Sequence, residues 1–349
     1  MRLTFLFSGL LLLCISANAN NLRTKDIPLD SLSDIDAKLA FTCVHEKIPT
    51  TSQEVDALFQ YARWLQKNNL LKQDKTIDPE IERLYRIAAE NQHYKANINL
   101  QNGTVRGQFK LSGEEVLRLS QQLIDAKVAT GYYLIATYLQ RGVAGLQQDP
   151  EMAFRYYRKA ADEGSAQAQG YVADQLEPID VAPNVARQMR RCAAVQGNGK
   201  AATALANDLA VDGHYNEAVE AFQLGVAAGD ETAASFLDSG FQGPAPDNRL
   251  DYLGQEKDLE RAGRYEQLSK LLSRWSYANP TVPEINEIVP LPPAKLPAWD
   301  GKLKWIEERK ANVQPPKPTE ALIEQLAKAK LLDPKTGKSL PESPLYEKD

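Results

Sequence analysis

The sequence predicts an all-α protein, a right-handed α-solenoid of stacked helix pairs finished by a proline-rich C-terminal strap. Three observations predict it. First, residues 85–90 (YRIAAE) recur as residues 157–162 (YRKAAD) at an offset of 72, two units of about 36 residues, and each copy follows a D-P-E triplet. Second, Gly164, Gly197 and Gly229 are spaced by 33 and 32, with Ala168, Ala201 and Ala233 four residues after them and Val172, Leu205 and Leu237 eight after. Third, Met152, Ala153, Tyr156, Tyr157, Ala160 and Ala161 share one helical face, where small side chains let neighbouring helices approach near the lower end of the usual packing distance.

Composition sets the outer bounds. The chain has 349 residues, 43% hydrophobic and 25% charged, which is ordinary for a globular protein able to bury a core. Its 41 basic and 46 acidic residues leave a net charge of -5, and no long basic block occurs, which argues against nucleic acid as a partner.

Taken in order, residues 1–19 read as a signal peptide. A basic Met1-Arg2 start precedes an apolar run over residues 3–15 that is too short to span a bilayer, followed by the small-residue cleavage site Ala17-Asn18-Ala19. Asn20 is then the expected mature start. A lipidated Cys14 would follow Leu13, where that processing wants a small side chain. The expectation is soluble export to the periplasm, with no stable membrane insertion.

Residues 20–75 are expected to cap the stack. Their amphipathic helix SQEVDALFQYARWLQKNN carries the stripe Val55, Leu58, Phe59, Ala62, Leu65. Just before it, FTCVHEKIP brings Cys43, His45 and Glu46 together, too few ligands for a structural zinc site, and a packed loop is expected there. Export leaves Cys43 and Cys192 as an even pair. In a solenoid each unit touches only its neighbours, so residues this far apart in sequence are expected to stay apart as two buried thiols.

Residues 76–243 are expected to hold the repeats. In the best-formed unit Asp149 caps the second helix, Pro150 fits its first turn, and Gly164 suits the left-handed residue that ends it. Later copies depart from the pattern, with Gly225-Val226 in place of the paired alanines. Residues 244–287 still read as helices. Residues 288–301 (IVPLPPAKLPAWDG), with four prolines, should be extended, either as a strap anchored by buried Trp299 and Trp305 or as a peptide that another protein grips. A helix capped at Thr319 and a fraying polar tail complete residues 288–349.

Residues 129–164 look like a Sel1-like repeat, a relative of the tetratricopeptide repeat, with Gly142-Val143 in the turn, Asp149, Ala153, Tyr157, Ala160-Ala161 and the closing Gly164. In the tetratricopeptide architecture the first helix of each unit lines a concave groove. By that analogy Thr130, Tyr133, Thr137 and Gln140 are partner-binding candidates, and carrying the frame forward adds Gln167, Asp174, Lys200, Thr203 and Asn207.

Catalytic motifs are absent from the sequence: there is no G-x-S-x-G, H-E-x-x-H, P-loop or G-x-G-x-x-G, and three histidines leave little acid/base capacity. No cofactor and no metal are expected. The leader, FTCVHE, LFQYARWLQKNN, ERLYRIAAENQHYKANINLQNG, GYYLIATYL and PLPPAKLPAWDG together resemble a group of exported bacterial Sel1-like proteins. That resemblance implies an immunity protein that binds and silences a secreted phospholipase toxin of the type VI system. The alternative is an envelope scaffold or adaptor acting through the same groove.

Overall fold

The computed structural model describes residues 39–176 and 182–346; the leader, with Cys14, the Ala17-Asn18-Ala19 site and Asn20, lies outside the described residues. Twelve helices form six consecutive pairs: α1 (Gln53–Asn69) with α2 (Asp78–Glu90), α3 (Tyr94–Val105) with α4 (Gly113–Asp125), α5 (Thr130–Arg141) with α6 (Pro150–Asp162), α7 (Ala166–Leu176) with α8 (Pro183–Val195), α9 (Gly199–Val211) with α10 (Tyr215–Ala227), and α11 (Glu231–Phe241) with α12 (Leu259–Trp275). A short α13 (Ile285–Ile288), then α14 (Lys304–Ala311) and α15 (Glu320–Lys328), complete an all-α solenoid, with one isolated bridge between Leu332 and Ser339.

One local device sets the period. The second helix of each of the first five units ends on a residue with positive φ, at Gln92, Lys127, Gly164, Gly197 and Gly229. The next N–H bonds back to a carbonyl five residues earlier, as in Ser165 to Ala160, Asn198 to Ala193 and Asp230 to Gly225. At four of the five, that same next residue then caps the following helix; after Lys127 it is Val128, which has no capping group. The His93 ring and the Asn198 and Asp230 side chains accept from Ala96, Ala201 and Ala233 N–H, so helix stop and helix start share three or four residues.

Small residues form the seams between these helices. Ala153, Tyr157, Ala160 and Ala161 of α6 are buried, whereas Met152, expected on the same face, is exposed. Asp149 accepts from Met152 N–H at 2.9 Å and Pro150 follows it, as their order predicts. The earlier D-P-E copy works differently: Asp78 is buried and accepts from Asn69 and Gln108 instead of capping α2. Gly225, where the paired alanines are lost, stands so close to α11 that an added Cβ would lie 2.7 Å from the Ala233 Cβ.

The cysteines overturn the expectation of separate thiols. Cys43 and Cys192 are joined as a disulfide, with Cα atoms 5.6 Å apart. The nearest-neighbour rule holds for stacked units, but Cys43 is not in one. Its segment runs across the ends of α6 and α8, where Glu46 N–H donates to the Gly164 carbonyl at 3.1 Å and Gln169 donates to the Val44 carbonyl at 2.9 Å. Gly164 makes this crossing possible, since a Cβ there would lie 2.6 Å from the Glu46 nitrogen.

A second crossing passes Gly229, where Val282 N–H donates to the Ala227 carbonyl at 2.8 Å. Beyond it the proline-rich stretch follows the core of α11 and α12, burying Val289 and Leu303. Trp299 and Trp305, expected as buried anchors, are half-buried against that core. The stretch is also not uniformly extended: Ala294 N–H closes a turn on the Leu291 carbonyl, around two prolines that have no N–H of their own.

The tail expected to fray packs instead. Thr319 caps α15, which lies on α1 and α2, and Ile323, Leu326, Ala327 and Leu332 complete the core of the first helices. Arg83 of α2 donates to the Pro334 carbonyl at 2.6 Å. The first helix pair and the C-terminal segment therefore meet, and Asn68 Nδ2 donates to Asn312 Oδ1 at 3.0 Å across this closure.

Candidate functional site

The candidate partner-binding residues divide by what their neighbours leave free. Thr130, Tyr133 and Gln167 line a groove of about 510 Å³ together with Phe59, Arg63 and Asn99. Gln167 is exposed there, while Thr130 is held by the Cys43 segment, its Oγ1 donating to Glu46 Oε2 at 3.0 Å. Tyr133 packs edge-on against Tyr157, with ring centroids 5.5 Å apart, and burial raises both phenol pKa values.

Thr137 and Gln140 are turned inward to this tyrosine cluster. Tyr157 OH donates to Gln140 Oε1 at 2.8 Å, Gln140 Nε2 donates to Tyr171 OH at 2.8 Å, and Thr137 Oγ1 lies 3.3 Å from Tyr157 OH. Both side chains, half-buried, thus hold the tyrosines that form the aromatic wall of the groove.

Further along, Asp174 is exposed but ion-paired at 3.1 Å with the fully buried Arg190, which also pairs with Asp208. Lys200 is exposed and Asn207 is half-buried. Thr203, expected to face outward, is buried where α9 meets Gly225 of α10; a Cβ on Gly225 would lie 3.3 Å from its Oγ1. The transferred frame thus places these residues on the first helices of their pairs, but the close seam between α9 and α10 holds Thr203 in the core.

A second cavity, of about 590 Å³, adjoins the first through shared Arg63, Asn99 and Asn102. It lies where the first helices meet α14. Arg63, Trp64 and Lys67 come from α1, Arg106 from the end of α3, and Trp305 and Arg309 from α14. Loss of solvent, followed by the neighbouring Arg63 and Arg309 charges, lowers the Lys67 pKa; Arg106 is lowered by loss of solvent and by Arg63. Sequence reasoning missed this cavity. The spacing of Arg63 and Lys67 put two like charges on the polar face of α1, but no local pattern joins them to Arg309.

Cys43, His45 and Cys192 bring one potential ligand atom each within 4.8 Å of one another. The two sulfurs are bonded to each other, so neither can serve as a thiolate ligand. No helix among the described residues is long and apolar enough to cross a membrane.

The fold is an all-α solenoid of stacked helix pairs, and its two adjoining cavities form one elongated trough. The chain is similar to three solved structures. Immunity protein PA5088 from Pseudomonas aeruginosa is 26% identical, with a TM-score of 0.55 over 72% of this chain and 94% of that one. Pseudomonas aeruginosa 5086 (PA5086) is 26% identical, with a TM-score of 0.53 over 72% and 95%. Immunity protein Pa5087 from the same organism, at 24% identity, a TM-score of 0.54 and coverage of 73% and 95%, shares the fold. Residues 233–340, from α11 to the packed tail, match a domain of unknown function, DUF6396. No curated protein matches the chain.

Proposed function

We propose that the protein is an immunity protein of the periplasm, which binds a secreted lipase or phospholipase toxin and blocks its active-site mouth or its membrane-binding face. The observation that carries this reading is the similarity to immunity protein PA5088 over nearly the whole of that chain. The disulfide fits an oxidising compartment such as the periplasm, and the leader expected over residues 1–19 would deliver the chain there.

Binding, not catalysis, is the mode of action. The trough supplies aromatic walls at Tyr133, Phe59 and Trp64 with polar groups between them, the composition from which interface anchors are drawn. Gln167 and Tyr133 contact the partner directly, and Thr137 and Gln140 position the tyrosines behind them.

The test is survival. Cells that export a periplasm-directed phospholipase are expected to grow when this protein is coexpressed and to lyse without it. Unchanged lysis overturns the reading, and capture of resident envelope proteins in place of a lipase would favour the scaffold alternative.

A further inference from the structure

The cavity at the closure has an unusual charge balance. Its wall holds four cations, Arg63, Lys67, Arg106 and Arg309, against one carboxylate, Glu308, in a chain whose net charge is -5. Elsewhere the basic side chains of this protein commonly pair with acids, as Arg83 does with Glu80 and Arg118 with Glu90. Among the described residues none of these four has a carboxylate within ion-pair distance; Arg63 donates to Gln66 and Arg309 to the Lys67 carbonyl. Like charges one turn apart on α1 are mildly destabilising, and gathering two more beside them from α3 and α14 adds to that cost. Local rules are broken in this way chiefly where a ligand supplies the missing charge.

We infer that this cavity receives an acidic segment of a partner polypeptide, its carboxylates meeting Arg63, Lys67, Arg106 and Arg309 while an adjoining apolar side chain rests on Trp64, Tyr277 and Trp305. The inference rests on the immunity reading and locates the contact within it. Three features favour a polypeptide over a compact anion. The cations come from three separate elements, where a phosphate would engage one corner. The cavity continues through Asn99 and Asn102 into the Tyr133 groove, forming a trough for an extended chain whose peptide groups side-chain amides can pair. Exposed Leu70, Tyr277 and Val313 give its rim apolar surface beside the charge, a pairing that a free phosphate does not use. Arginine clusters recognise acidic motifs by the same chemistry.

The test uses a short fluorescein-labelled peptide of alternating Glu and Leu, titrated with the mature full chain at low and high salt. Saturable binding that weakens with salt is expected. Arg63→Gln combined with Arg106→Gln should weaken it by about ten-fold or more, and Arg309→Gln alone should also weaken it. Lys270→Gln, on the exposed face of α12, should leave affinity within about two-fold of wild type. The double variant should melt no lower than wild type, because it removes repulsion, whereas Arg309→Gln also loses its hydrogen bond to the Lys67 carbonyl and is compared only after circular dichroism shows it folded. Unchanged binding by the folded groove variants overturns the inference, as does binding of phosphatidylglycerol vesicles or inorganic phosphate by a wild-type protein that ignores the peptide. The two readings fail separately. A double variant that protects cells as well as wild type strikes the groove and spares the immunity function; a wild-type protein that binds the peptide but protects no cell strikes immunity alone.

Discussion

Gly164 and Gly197 end equivalent helices with positive φ, yet only Gly164 has backbone lying on it. Replacing Gly197 by alanine costs the left-handed penalty alone, about 1 kcal/mol. At Gly164 the new Cβ also meets the Glu46 nitrogen at 2.6 Å, so Gly164→Ala is expected to cost roughly 2–4 kcal/mol once overpacking is added. Urea unfolding of the two variants measures the difference, and equal losses would mean that the Cys43 segment does not lie where described. The sequence made this glycine legible as a helix stop but not as a crossing point, because nothing local to it names the segment above. Gln92 and Lys127 perform the same stop without a glycine, which is why the period could not be followed back through them. His93, next in line, adds a pH dependence. Its Nδ1 accepts the Ala96 N–H at 3.1 Å and its ring stacks on Phe59, and burial lowers its pKa below 6.5 despite the opposing pull of Asp56. The unfolded chain then binds the proton more readily, so this contribution is full above pH 6.5 and is lost as pH falls towards the lowered folded value. His93→Gln should flatten the slope of urea midpoint against pH in that window; an unchanged slope assigns the dependence elsewhere.

The segment that carries Cys43 is the element whose role was least legible. FTCVHE has no helical or alternating pattern, and its hydrogen bonds go to Gly164, Gln169 and Gln196, each far away in sequence. By contrast α6 could be read almost completely, since its cap, first-turn proline, small-residue face and stop are all local. Closing a loop of 149 residues, the disulfide should contribute about 2–4 kcal/mol, chiefly by restricting the unfolded chain. Cys43→Ser with Cys192→Ser is expected to lower the urea midpoint accordingly while leaving the helical circular dichroism unchanged, because no helix depends on the bond. The freed segment should also become the first site of proteolysis. Resistance equal to that of the oxidised protein would show that the hydrogen bonds hold the segment without the disulfide. The same segment anchors Thr130 through Glu46, so the variant should also loosen one wall of the Tyr133 groove.

An open solenoid is stabilised by contacts between neighbouring units, and its ends can fray independently of its middle. This molecule adds two long-range ties to that scheme. The disulfide joins the N-terminal segment to α8, and α15 with Leu332 completes the core of α1 to α3, bringing α14 against Lys67 and Asn68. With both ends held, opening the first units requires lifting the tail, and opening the last units draws on the strap that leads to it. DPKTGKSLPESP is polar and short of apolar periodicity, so nothing local to it signals packing; the buried Leu332 sits just before it, in the core of the first helices. Unfolding should therefore be close to a single transition. Leu326→Asp with Leu332→Asp places charge at two buried positions and should release the tail. In wild type, urea curves followed by tryptophan fluorescence and by circular dichroism should coincide. In the double variant the fluorescence curve should move to lower urea ahead of the helical signal, because Trp64 and Trp305 line the closure and Trp275 packs edge-on against Trp305. The released protein should also lose the acidic-peptide site, since Arg309 no longer faces Arg63. Coincident curves in the variant would mean that the stacked pairs alone couple the two ends, and that the closure shapes the trough without stabilising the whole.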